Sequence, residues 1–280
     1  MILIKQGAVS LLFLNLCFNL IFMVPNSFAQ ESSISIGASN FSAHGDNAVT
    51  GDSPEVIEKL IPDYIQEQLS QYNFNEESWL QPKFSTSDAD FSPTQEQLAE
   101  IEKINILYSR YKVIKSKFMQ RDSVGGFSKG WFIIQKPGRA RVEYDDIPIR
   151  FIISGNSLLY QDISLKHKSF LPVNSSPFSY LLEENSSFLN KNLKLLNFVS
   201  FDDHNEITLS SIKNPELGRM ILFFSKEQGE LLKWIILDSK GVATEIYLLE
   251  PIFSNQLVQD LAIFNLQRVK EVTFKEVKLR

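Results

Sequence analysis

The chain has 280 residues, a formal net charge of −5, 22 phenylalanines and one cysteine, Cys17. With a lone cysteine inside an apolar leader, thiol catalysis, a disulfide framework and Cys-ligated zinc are excluded for the exported chain. The charge is uneven: residues 30–93 carry −9 and residues 94–280 carry +3, which is far too little positive charge to argue for nucleic acid.

Residues 1–29 read as a cleaved signal peptide. Lys5 precedes an apolar stretch from Ala8 to Val24, Pro25 breaks it, and Ser27-Phe28-Ala29 supplies a small-x-small cleavage site. Leu16 stands where a lipobox before Cys17 would need a small residue. Residues 30–91 form an acidic arm that opens as Ser/Asn/Gly/Asp-rich sequence without periodicity. A short amphipathic helix is expected from Ser53 to about Tyr72, interrupted by Pro62. The arm reads as a tether, with a lid or docking segment as the sharper alternative.

The domain begins at residue 92. Ser92-Pro93-Thr94-Gln95 has the form of a capping box, and Leu98, Ile101, Ile104, Tyr108 and Tyr111 recur at helical spacing, predicting a helix to about Phe118. Period-two patterning then predicts strands over 128–136, 139–145, 149–154, 157–161, 206–212, 219–225, 231–238 and 242–249. Ser176-Pro177 caps a second predicted helix, PFSYLLEE, extended by a turn or two through Leu196. Links as short as Pro137-Gly138 and Gly155-Asn156 cannot hold crossover helices, so the sheet must be antiparallel. Runs such as Trp131-Phe132-Ile133-Ile134 are apolar on both faces. Two readings satisfy that pattern: ordinary central strands of a buried sheet, or a concave face that helices cover incompletely, leaving an apolar cavity.

Catalytic patterns are missing from the sequence. It carries no G-x-S-x-G elbow, P-loop or G-x-G-x-x-G. Of the three histidines, His204 beside Asp202-Asp203 has no second ligand group at metal-binding spacing and reads as a solvated acidic turn. No enzyme, cofactor or metal is expected.

The runs GWFIIQKPGRARVEYDD, FIISGNSLLYQD and LPVNSSPFSYLLEE resemble the LolA family, periplasmic carriers of outer-membrane lipoproteins. ELLKWIILDSKGVATEIYLLEPIFSNQLVQDLAIFN matches the family's later hairpin and closing segment, so the similarity is ordered along residues 92–266. The resemblance implies an α+β fold: a large antiparallel sheet forming an unclosed half-barrel, with two to three covering helices over an apolar cavity. Residues 92–280 would be this carrier domain. It further implies a periplasmic monomer without cofactor, receiving acylated lipoproteins from an inner-membrane LolCDE-type ABC transporter and passing them to a LolB-type acceptor. An envelope sensor on the same fold (RseB-like) and a carrier of another lipid are the alternatives.

In such proteins a basic residue before the strand-end proline, typically arginine, latches the lid. Here it is Lys136, with Arg139 or Arg141 as substitutes. Strand parity, taken from the face of Lys136, gives an expected lining of Phe132, Ile134, Val142, Tyr144, Phe151, Ile153, Met220, Leu222, Phe224, Trp234 and Ile236. From the covering helices come Leu98, Ile101, Tyr108, Phe178 and Leu181.

Overall fold

The structure, a computed structural model, describes residues 91–280 apart from 123–125, 174–176, 186, 190–191 and 240. The predicted signal peptide and the acidic arm with its amphipathic helix lie outside the described residues.

One α-helix, α1 (Gln95–Ser109), opens the described chain. Its N-cap is Thr94, whose hydroxyl accepts from the Gln97 backbone N–H while the Gln97 side chain returns a bond to Thr94. The capping box therefore starts two residues later than expected from Ser92; the same spacing recurs there, and Pro93 precedes the cap. The helix also ends at Ser109, not near Phe118. The β-branched pair Val113-Ile114 and the alternation of Lys115 and Lys117 with Ser116 and Phe118 belong to a strand, and tertiary pairing overrides the helical spacing read through Tyr111.

Eleven strands follow: β1 (Val113–Asp122), β2 (Phe127–Gln135), β3 (Arg139–Tyr144), β4 (Ile149–Ser154), β5 (Ser157–Asp162), β6 (His167–Pro172), β7 (Leu193–Ser200), β8 (His204–Ser211), β9 (Arg219–Ser225), β10 (Leu231–Leu237) and β11 (Ala243–Ser254). They form a single antiparallel sheet in the order β6-β5-β4-β3-β2-β1-β11-β10-β9-β8-β7. Two meanders are thus joined at the middle by the pairing of first and last strands, Phe118 opposite Leu248 and Gln120 opposite Ile246. Tight turns drive each meander; Gly155 sits at φ +62° between β4 and β5, a backbone position that favours glycine.

Period-two patterning does not reach three strands. Helical spacing runs into β1 as far as Phe118, although SKFMQ within it resembles a first strand. The edge strands β6 and β7 give weak signals: β6 is mostly exposed and ends in Pro172, and β7 is interrupted by a bulge at Leu195–Asn197. The expected second α-helix is a six-residue 3-10 helix, Pro177–Leu182. Its last carbonyls are taken by partners outside it, the Leu181 oxygen by the Tyr108 hydroxyl and the Leu182 oxygen by the Gly138 N–H, and an Asn/Ser-rich stretch follows.

Because β6 and β7 occupy opposite edges, the chain between them (residues 173–192) must cross from one edge of the sheet to the other. Residues of one face, from β5 near one end of the sheet order to β7 at the other, with α1 and this crossing, make one apolar cluster. On that face the rings of Phe132 on β2 and Trp234 on β10, three strand spacings apart, approach to 5.8 Å, so the sheet curls around the cluster. The opposite face carries a second cluster: Val113, Trp131, Ile133, Ile152 and Leu159 under Val258, Ile263, Phe264 and Val277 of the C-terminal segment.

Buried polar side chains fasten that segment. Lys115 Nζ donates to the Val277 carbonyl at 2.8 Å, Gln135 Oε1 accepts from the Val258 N–H at 2.8 Å, and Arg141 donates to the Ile263 carbonyl at 2.9 Å. Arg150 holds Glu271 through two bonds of 2.8 and 2.7 Å. Arg141 and Arg150 share Glu143 between them. Arg141, the alternative to Lys136, therefore reaches the face opposite α1 and the 3-10 helix.

Candidate functional site: the lidded apolar face

The floor of the site is the inner face of the curled sheet. Alternation puts Phe132 and Ile134 of β2, Val142 and Tyr144 of β3, and Phe151 and Ile153 of β4 on it, all buried. From the other meander come Met220, Leu222 and Phe224 of β9 and Trp234 of β10. Ile236 packs against the cluster and is partly exposed. Ile101 and Tyr108 of α1 and Leu181 of the 3-10 helix belong to the roof. Leu98 is half-buried and lies outside the cluster, and the Phe178 side chain falls outside the described residues.

Sequence parity did not reach several cluster members: Phe118 on β1, Leu158 and Tyr160 on β5, Ile207 and Leu209 on β8, Ile246 and Leu248 on β11, and Phe188 in the crossing. Extending the same alternation outward from β4 and β9 would have found Tyr160 and Ile207. Nothing local marks Phe188, which sits among turns.

Aromatic edges knit floor to roof. The Tyr108 ring meets Phe224 edge-on at 5.5 Å and Phe188 at 6.3 Å, while Phe132 meets Trp234 at 5.8 Å across the two meanders. At the end remote from Lys136 the floor turns polar: the Tyr144 hydroxyl donates to Gln120 Oε1 at 2.7 Å.

Polar contacts tie the roof to the sheet and to itself. Gln97 reaches the Phe198 carbonyl on β7 at 3.4 Å, and Asn105 accepts from the Phe188 N–H at 3.1 Å. Tyr108 is fully buried, and its hydroxyl donates to the Leu181 carbonyl at 3.1 Å. Desolvation drives its phenol pKa far upward, so this hydroxyl stays protonated and a donor. The Gly138 N–H donates to the Leu182 carbonyl at 2.8 Å.

Lys136 joins floor and roof directly. Its Nζ donates to the Tyr108 carbonyl at 3.0 Å and lies 3.4 Å from the centre of the Tyr108 ring. The Tyr108 carbonyl is among the last of α1, where negative dipole density favours a cation. The side chain is buried, and desolvation pulls its pKa down from 10.5 to about 7. Among the described residues it has no ion pair.

Among the described residues, no group of three or more His, Cys, Asp or Glu is arranged to hold a metal. His204 bonds Asp203 at 2.7 Å and Glu206 at 3.3 Å and stacks on Phe201 at 4.6 Å. No helix among the described residues is long and apolar enough to cross a membrane.

The sequence profile of the outer membrane lipoprotein carrier protein LolA family matches residues 109–265, just over half of the chain. The chain belongs to the LolA family. No curated protein matches it in sequence. Among solved structures, a LolA-superfamily protein from Nitrosomonas europaea is similar at 10% identity, covering 60% of this chain and 97% of its own, with a TM-score of 0.38. LprF from Mycobacterium bovis is similar at 11% identity, covering 59% and 99%, with a TM-score of 0.30. MucB in its complex with MucA from Pseudomonas aeruginosa is similar at 12% identity, covering 66% and 63%, with a TM-score of 0.35. Likenesses of this degree add nothing to the family assignment. Among the described residues the fold is a large open antiparallel sheet of eleven strands with one α-helix.

Proposed function

We propose that this protein is a periplasmic carrier of acylated lipoproteins, whose acyl chains replace the roof contacts over the apolar inner face. The observation that carries the reading is a continuous aromatic and aliphatic floor on one face of the sheet, with α1 and the 3-10 helix packed over it. Acyl chains suit such a floor, since each methylene removed from water contributes roughly 0.8 kcal/mol. A carrier must also release its cargo. Re-closure of α1 and the 3-10 helix onto the floor offsets part of that affinity, because empty and loaded arrangements compete for one surface.

On this reading Phe132, Ile134, Phe151, Leu222, Phe224 and Trp234 touch the chains, and Lys136 is the latch. An inner-membrane LolCDE-type transporter loads the carrier and a LolB-type acceptor unloads it at the outer membrane. Carriers of this kind need no cofactor and no catalytic residue.

The test is to purify the mature protein from its native periplasm and examine it by native mass spectrometry. Co-purifying acylated protein is expected. Recovery of a free lipid alone would point to a carrier of another lipid. Recovery of an unacylated partner protein, while a control carrier yields acylated cargo, would replace the carrier reading with an envelope sensor.

A further inference from the structure

Lys136 is a buried lysine under α1 that has no ion pair among the described residues. A guanidinium stays charged at any accessible pH, whereas a buried ammonium can shed its proton. The surroundings of Lys136 decide whether it does. Its Nζ is covered on one side by the Tyr108 ring and on another by the Tyr108 carbonyl, and its own backbone N–H is held by the Lys112 carbonyl at 2.8 Å.

The charged and titratable groups near this end of the sheet can be taken element by element. α1 brings Tyr108, whose phenol points away to Leu181, and then Arg110 at its C-cap. Lys112 follows just before β1, and Arg139 opens β3 beyond the turn. The 3-10 helix is followed by Glu183, and the β9–β10 turn by Glu230, which interacts with Tyr111. None of these carboxylates pairs with Lys136, and desolvation alone accounts for its depressed basicity. The contacts it does have, the carbonyl at the end of α1 and the face of the Tyr108 ring, favour the ammonium and are outweighed by its burial; a neutral amine keeps only the hydrogen bond to the carbonyl.

We propose that the lid is proton-linked: opening hydrates Lys136 and lets it take up a proton, and closing expels that proton. The step balances simply, with one proton passing from solvent to the amine and no other bond changing. The inference rests on the carrier reading for the opening of α1 and the 3-10 helix, and for the consequence that loading takes up the proton.

The direction follows from the two environments. In water the amine titrates near its ordinary 10.5, and under the closed lid at about 7. Above 10.5 both forms are neutral and closure is favoured in full. As pH falls towards 7 the open form gains a proton that the closed form lacks, and the open-to-closed ratio rises about tenfold for each unit of pH. Below about 7 both forms are charged and the ratio levels off. Acidification therefore opens the lid and strengthens cargo binding.

Two measurements on the mature protein test this. The first needs no cargo. The sequence after Ala29 contains no cysteine, so spin labels placed by Glu102→Cys on α1 and Ser157→Cys on β5 report lid distance alone. Between pH 7 and 9.5 the open fraction of the otherwise unaltered protein should fall with rising pH, and Lys136→Met should remove that dependence. A pH-independent distance distribution, or one that Lys136→Met leaves as steep, overturns the inference. The second is calorimetric titration with a synthetic triacylated lipopeptide at pH 8.5 in buffers of different ionisation enthalpy. Close to one proton should be taken up per lipopeptide bound, and none in Lys136→Arg. Binding without uptake overturns the proton linkage while sparing the carrier. Absence of lipopeptide binding strikes the carrier reading, and the spin-label result still decides the linkage.

Discussion

Replacing Tyr108 by Phe separates a lid from a core. The ring is fully buried against Phe188 and Phe224, and Phe keeps all of that packing. What is lost is one hydroxyl and its 3.1 Å bond to the Leu181 carbonyl, the direct tie between α1 and the 3-10 helix. A buried carbonyl deprived of its donor costs about 1–2 kcal/mol, so the closed lid should weaken by a factor of about 5–30. If closure competes with cargo, the same factor appears as tighter binding, up to the point where the open state predominates. Fluorescence titration with a triacylated lipopeptide should show this gain. Thermal unfolding of the empty protein should meanwhile fall by about 2–8 °C, at about 2–4 °C per kcal/mol for a domain of this size. Weaker lipopeptide binding in parallel with the lost stability would refute the reasoning and make Tyr108 an ordinary core residue.

Other perturbations probe different parts of the molecule. Phe224→Ala empties a fully buried aromatic site beneath Tyr108 and should cost about 3–5 kcal/mol by chemical denaturation. Glu143→Gln removes the carboxylate that Arg141 and Arg150 share. With Arg141 fully buried, a loss of about 3–5 kcal/mol is expected, and proteolysis should reach the C-terminal segment first. At His204, burial opposes the charge, but hydrogen bonds to Glu206 and Asp203 outweigh it and raise the pKa above 6.5. Its contribution to stability is complete below 6.5 and disappears as pH rises through the raised value. Denaturant midpoints should therefore lose part of their pH dependence near neutrality in His204→Gln.

Legibility in the sequence followed the strength of local patterning. The hairpins from β2 to β5 and from β8 to β11 have sharp turns and clean alternation, and their ends fall within a few residues of expectation, apart from the longer β11. Parity there also placed side chains such as Phe132 and Leu222 on one face. What failed was whatever depends on distant partners. Val113-Ile114 became a strand because β2 and β11 flank it 20 and 140 residues away. PFSYLL is a short 3-10 helix because Tyr108 and Gly138 claim its last carbonyls. The outer cluster under the C-terminal segment is invisible to periodicity, since Arg141 and Lys115 look like solvent-facing charges until their carbonyl partners are known.

The pairing of β1 with β11 has a consequence for how the chain is made. Val113 meets Ser254 and Asp122 meets Thr244, so the central seam joins residues more than a hundred positions apart. Each meander can zip locally, yet neither can curl around the shared aromatic cluster until the last strand arrives. High-contact-order pairing of this sort folds slowly. A chain built this way stays unclosed along its central seam until residues 243–254 are in place.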